Sequence, residues 1–137
     1  MLALLNVFGQ RPTVTSAHAA SADLRVTAPA RLRSGLIFQV RVQVIAHQAI
    51  SSPQLIFSRG WWESMSENSV EPSPTDESSS NGRVVFSYNK LAAGHTLIVW
   101  LYFQVNPTNV GKRSEDIELN DGSNPITSVH RSLTIFP

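Results

Sequence analysis

Few residues in this chain have the type and spacing to do chemistry, and the spacing settles most of what they could do. Histidine occurs four times, at His18, His47, His95 and His130. No two stand two or four positions apart, so no single strand or helix turns a pair of imidazoles toward one metal ion. Cysteine is absent, which excludes disulfide frameworks, thiolate zinc sites and a cysteine nucleophile. Serines are numerous, but none sits in a Gly-x-Ser-x-Gly elbow, and no glycine-rich run is built to cradle phosphate. The expectation is a protein that is not an enzyme and needs no cofactor or metal.

Two groups of acids remain. Glu115, Asp116, Glu118 and Asp121, with Asn120 and Asn124 nearby, could offer oxygen to calcium. Their spacing matches no EF-hand loop, and hard cations want about six or more oxygens. An exposed acidic hairpin is the simpler reading. Glu63, Glu67 and Glu71 could be the paired carboxylates of a glycosidase, which must be held at a set separation on rigid elements. Here they ride a Ser/Pro-rich stretch (Pro72, Pro74, Ser78, Ser79 and Ser80), the composition of a solvated loop.

Gly60-Trp61-Trp62 is the most unusual element. Neighbouring residues on a strand point to opposite faces, so one Trp can be buried while the other meets solvent, a partner protein or a sugar ring. The alternative is that both pack, one in the core and one under the acidic stretch. Trp61, Trp62, Glu63, Glu67 and Glu71 are accordingly the expected binding residues. In this reading acids steer a basic partner and a Trp anchors it. Arg31 and Arg33 flank Leu32 and read as an ordinary solvated loop.

Charge is partitioned along the chain. The whole carries a formal net charge of +1, with no global basic field to hold nucleic acid. Residues 1–59 have a net charge of +5, residues 60–82 of −5, and the rest of +1. Residues 60–82 read as one long acidic surface connection, with room for a short strand; so long a loop in a small domain is often functional.

Everything else must position these groups, and its period is two. Leu24, Val26 and Ala28 alternate with polar neighbours before Pro29. Leu36, Phe38, Val40, Val42 and Val44 share a face that opens at Gly35. Gln54–Phe57, Arg83–Tyr88 after Asn81-Gly82, and Asp116–Leu119 before Asn120-Asp121-Gly122 are shorter runs. In Thr96–Val105, Leu97, Val99, Leu101, Phe103 and Val105 face one way and Ile98, Trp100, Tyr102 and Gln104 the other. Both sides are largely apolar, so the strand reads as central and Trp100 as core. Thr127, Val129, Arg131, Leu133 and Ile135 alternate to the end. Seven short strands with no helix of normal length after residue 23 predict an all-β, immunoglobulin-like antiparallel β-sandwich over residues 23–137. A closed barrel is the other all-β solution. At 137 residues the chain has room for one domain.

Residues 1–22 are read as an N-terminal apolar arm and tether. Met1–Gly9 is apolar but shorter than the roughly 20 residues of a membrane span. It reads either as an arm or helix packed on the domain or as the end of a membrane helix. Residues 12–22 read as a small-residue tether.

The order Leu24-Arg25-Val26-Thr27-Ala28-Pro29, Gly35 opening a long strand, Leu91-Ala92-Ala93-Gly94 before another, then Asn106-Pro107-Thr108, Gly111 and a closing strand resembles bacterial surface immunoglobulin-like modules of the CARDB type. The long acidic stretch and Gly60-Trp61-Trp62 depart from that plan. The chain also resembles single-pass actinobacterial envelope proteins with an N-terminal membrane helix. These resemblances imply a non-enzymatic, extracytoplasmic module of the cell envelope. It would be anchored to the membrane through a segment preceding or including the N-terminus, and would act by contact with a protein partner. A glycan stacked on Trp61 or Trp62 is the alternative ligand; nucleic acid is not expected.

Overall fold

The computed structural model describes residues 12–62, 65–80, 82–106 and 111–136. Within them the period-two pattern is realised as eleven strands. These are β1 (Pro12–His18), β2 (Ala22–Pro29), β3 (Arg31–Arg33), β4 (Ile37–Ala46), β5 (Pro53–Phe57), β6 (Met65–Glu71), β7 (Asp76–Ser80), β8 (Arg83–Ser87), β9 (Thr96–Val105), β10 (Gly111–Asp121) and β11 (Asn124–Phe136). Arg59–Trp61 is a 3-10 turn, and no α-helix occurs among the described residues. The strands form a five-stranded sheet ordered β1-β2-β4-β9-β6 and a six-stranded sheet ordered β3-β11-β10-β5-β8-β7. All pairings are antiparallel except that of β3 with β11.

The core is the set of alternate residues that the two sheets turn toward each other. Leu24, Val26, Phe38, Val40, Val42, Val44, Val99, Leu101 and Phe103 come from the five-stranded sheet. Leu55, Phe57, Phe86, Ile117, Leu119, Val129 and Leu133 answer from the six-stranded sheet, and all of them are buried. Phe38 stacks on Phe103 across β4 and β9 with centroids 5.5 Å apart. Leu97, at the end of the same face, packs against this core but is only partly buried.

The seven strands read from the sequence all form, as β2, β4, β5, β8, β9, β10 and β11. Four more exist, and they correct two readings. Residues 12–22 are not a tether, because Pro12–His18 form β1 and pair without a break along β2, from Pro12↔Pro29 to His18↔Asp23. Residues 12–18 are therefore part of the sandwich. The acidic stretch 60–82 is not one long surface loop either. It leaves β5 in the six-stranded sheet, crosses to the five-stranded sheet as β6, and returns to the six-stranded sheet as β7. Arg31 and Arg33 also lie on a strand, β3, rather than in a loop. The apolar run Met1–Gly9 and its membrane reading lie outside the described residues.

Candidate binding face

Gly60-Trp61-Trp62 is where the chain crosses from one sheet to the other, and the crossing explains all three residues. A Cβ at Gly60 would stand 1.8 Å from the Ser114 carbonyl oxygen of β10, so only glycine allows the turn to lie this close to the strand. That closeness drives Trp61 into the core, fully buried, with its indole N–H donating to the Asp116 carbonyl at 3.1 Å. Trp62 is half-buried, its ring edge-on to Phe57, Phe86 and Phe103 at 5.3–6.2 Å between centroids. Both tryptophans pack, so Trp61 gives no exposed platform for a sugar or a partner. Of the acids expected beside them, Glu63 lies outside the described residues and Glu67 is carried by β6. Glu71, at the end of β6, is exposed and stands opposite Trp100 of β9.

The other acidic group is split by strand alternation. Glu115 points inward and is the one fully buried charged side chain among the described residues. It is paired with the Arg131 guanidinium, which is itself buried from β11. Arg131 also donates to the carbonyls of Pro29 at 2.7 Å and Ala28 at 3.2 Å, and lies 5.6 Å over the Trp61 ring. One guanidinium thus joins β10, β11, the end of β2 and the crossing turn. Burial pushes the Glu115 carboxyl up to about 8, against the pull of Arg131. In the sequence Arg131 shares its register with Val129, Leu133 and Ile135; a cation at an inward position is the signal that it needs a buried acid.

Asp116 and Glu118 point outward. Glu118 is ion-paired with Arg83 of β8, and the Asp121 carboxylate accepts the Ser52 N–H at 2.9 Å. Asp116 Oδ1 lies 3.2 Å from His130 Nδ1, whose Nε2 is 3.3 Å from Ser128 Oγ. That order of contacts is the order of an acyl-transfer triad. Its setting is not, since His130 is 74% exposed on an open sheet face. A serine on such a face is not desolvated, and among the described residues no donors enclose a developing oxyanion.

His18 Nδ1 and His47 Nε2 both contact Asp23 Oδ1, at 3.1 and 3.2 Å. Desolvation works against the Asp23 carboxylate, but hydrogen bonds from His47 and His18 outweigh it and hold the carboxyl below its ordinary range. This contact pins the end of β1 to β2 and to the residue after β4. Among the described residues no cluster of three or more His, Asp or Glu side chains has the geometry to hold a metal ion.

The remaining unusual surface is the outer face of the five-stranded sheet. The register lines up Thr27, Arg41, Trp100 and Glu71 in one cross-strand row, with Gln39 and Tyr102 in the next. Trp100 is therefore not core but half-buried on the outside, with the Arg41 guanidinium 5.6 Å over its ring. Gln39 donates to the Tyr102 hydroxyl at 3.0 Å. Five large apolar side chains are exposed among the described residues. Val14, Ile37, Ile98 and Tyr102 are on this face, and only Phe136 belongs to the other sheet. Thr27 Oγ1, Arg41 Nε and Gln43 Oε1 in the same patch have no hydrogen-bond partner.

No protein-family model and no curated protein matches this chain. Its fold is similar to that of the CARDB domain of a Pyrococcus furiosus protein, solved in complex with di-metal ions. That match has a TM-score of 0.53 at 9% identity and covers 93% of this chain and 96% of that one. CaCohA2 from Clostridium acetobutylicum matches with a TM-score of 0.53 at 11% identity, over 81% of this chain and 90% of that one. A non-cellulosomal cohesin from Archaeoglobus fulgidus aligns with a TM-score of 0.46 at 14% identity, over 93% and 92% of the two chains. At such identities the likeness speaks for the fold alone, an immunoglobulin-like β-sandwich. The resemblance to CARDB modules read from the turns and strands holds at that level.

Proposed function

We propose that this chain is a non-enzymatic binding module that acts through protein–protein contact, with the outer face of the five-stranded sheet as its contact surface. One observation carries the reading: of the five large apolar side chains exposed among the described residues, four lie on that single face. They surround Arg41 and Trp100 at its centre. Arg, Trp and Tyr are the residues in which interface binding energy concentrates, within a rim that excludes water. An apolar face rimmed by polar groups is a mark of an interaction site. Glu71 stays in this reading as a polar rim residue beside Trp100. Trp61 and Trp62 leave it, since their role is to pack the crossing turn.

An extracytoplasmic, membrane-anchored module of the cell envelope is the setting we favour. It is supported by the resemblance of the chain to bacterial surface modules, by the absence of cysteine and by the apolar Met1–Gly9 run.

The test is capture of a partner from envelope extract by the natural chain and by Tyr102→Ala and Trp100→Ala. Each truncation is expected to weaken binding by about 2 kcal/mol or more while leaving the thermal midpoint nearly unchanged. Binding that survives both truncations, and is lost instead on substitution of residues in the six-stranded sheet, would overturn the assignment of the face.

A further inference from the structure

A β-sandwich has four edge strands, each offering unpaired N–H and C=O groups to another chain, and proteins usually blunt them. Three of the four here are blunted. β3 is three residues long and carries Arg31 and Arg33. β6 carries Glu67 and Glu71 and breaks register between Glu67 and Ser69. β7 opens with Asp76 and Glu77. β1 has none of these devices. It runs seven residues, Pro-Thr-Val-Thr-Ser-Ala-His, in unbroken register and without a Lys, Arg, Asp or Glu. Its one proline, Pro12, is its first residue.

The phase of the β1–β2 ladder shows what this edge presents. The Ala19 N–H donates to the Ala22 carbonyl at 3.0 Å. Antiparallel alternation from that bond directs the backbone groups of Thr13, Thr15 and Ala17 toward β2. The N–H and C=O of Val14, Ser16 and His18 are turned away from β2, on a side where no strand among the described residues pairs with them. None of these is proline, so each can both donate and accept.

We propose that β1 is a self-association edge, and that its occupant is the β1 strand of a second copy of this chain, paired antiparallel about a two-fold axis at Ser16. In that register Ser16 faces Ser16 of the second copy and Val14 faces its His18. Val14, Ser16 and His18 of each strand then all pair, whereas a two-fold axis at Thr15 would set His18 against Pro12 and lose a donor. No like charges meet across the axis, because the strand carries none and the His18 ring is engaged by Asp23. Val14, 58% exposed, gains cover. A foreign peptide added to an edge is selected through pockets for its alternate side chains. The small side chains of Thr13, Thr15, Ser16 and Ala17 build no such walls, and what remains is backbone pairing with an equally small, uncharged strand. The product is a ten-stranded sheet whose outer face carries two copies of the Arg41, Trp100 and Tyr102 patch, so self-association would make the proposed binding face bivalent. The pairing itself does not depend on that face being a binding site.

Light scattering and sedimentation of the full chain across a roughly hundred-fold range of concentration test this. The natural chain is expected to pass from monomer to dimer with a single dissociation constant. Ser16→Pro removes the N–H at the axis. Ser16→Lys and Ser16→Glu each place like charges in contact there. Each is expected to raise the dissociation constant by about tenfold or more, with the circular dichroism and thermal midpoint of the natural chain. Mixing Ser16→Lys with Ser16→Glu is expected to restore a dimer containing one of each, which a merely damaged strand cannot do. A natural chain that stays monomeric throughout would overturn the proposal. So would a dimer untouched by the Ser16 variants but lost in Tyr102→Ala, which would move self-association to the sheet face.

Discussion

The two sheets treat charge differently. The six-stranded sheet sets acids against bases on both sides: Glu115 with Arg131 inside, Arg83 with Glu118 and Asp116 with His130 outside. The five-stranded sheet is almost wholly apolar inside; outside, it sets Asp23 against His18 and His47 at one end, but elsewhere it exposes Val14, Ile37, Ile98 and Tyr102 and lays Arg41 over Trp100 rather than against an acid. Both obey the same alternation, so periodicity does not explain the difference. A surface that satisfies its own charges laterally has little to offer a partner. One that leaves large apolar groups in water gains by being covered. The contrast also locates stability, because an ion pair inside the sandwich and one outside it cannot be worth the same.

The largest effect is expected at the inner pair. At about pH 9, where Glu115 is ionised, Arg131→Ala would leave a buried carboxylate alone and strip donors from the Ala28 and Pro29 carbonyls. It should cost about 3–5 kcal/mol in urea melts. The double variant Glu115→Leu with Arg131→Met should recover most of that loss. A loss unchanged in the double variant would show that the cost lies in packing on Trp61 and not in the stranded charge.

Leu101→Ala, the matching deletion in the apolar interior of the five-stranded sheet, should cost about 2–5 kcal/mol. Leu101 is fully buried between the sheets. A cost below about 0.5 kcal/mol, the level of a surface substitution, would contradict its place in the core.

A pH-dependent effect follows from Glu115. Burial holds its carboxyl protonated up to about 8 in the folded chain, against 4.5 for an ordinary glutamate. Between those values the folded state keeps a proton that the unfolded chain releases, so stability falls as pH rises through the window. Urea midpoints should decline across it in the natural chain and flatten in Glu115→Gln. Equal slopes in the two proteins would assign the decline to other groups.

The smallest effect is expected outside. Arg83→Gln breaks the pair with Glu118, in which both side chains are 40% or more exposed, and should change stability by less than about 1 kcal/mol. A loss as large as that of Arg131→Ala would erase the distinction between the two sides of the six-stranded sheet.

Which strands could be read in advance follows from burial. The seven strands legible in the sequence, β2, β4, β5, β8, β9, β10 and β11, are the interior strands of the two sheets, and the four that were not, β1, β3, β6 and β7, are the four edges. An interior strand packs along its length and so must alternate apolar residues. An edge strand is held from one side only and can be built of Thr, Ser and Glu, as β1, β6 and β7 are. Its signal is then indistinguishable from that of a loop.

The candidate sites divide along a similar line. Alternation correctly set Asp116 and Glu118 on one side of their strand and Leu97, Val99, Leu101 and Phe103 on the other side of theirs from Trp100. It could not say which side of the Trp100 strand meets water, since both are apolar, and only the fold puts Trp100 outside the core. Nor could the sequence pair Glu115 with Arg131, because the strands of the partners and the end of β2 converge only once the sheets have packed. It drew notice to Gly60-Trp61-Trp62 but left recognition and packing both open; the fold needs the glycine because a Cβ there would stand 1.8 Å from the Ser114 carbonyl oxygen, and it uses the tryptophans to fill the corner behind it. Periodicity, being local, determined the class of fold and the interior strands. The edges, the wet side of each sheet and the burial of one ion pair were decided by tertiary packing, because each depends on what lies across a gap that the chain closes only when it folds.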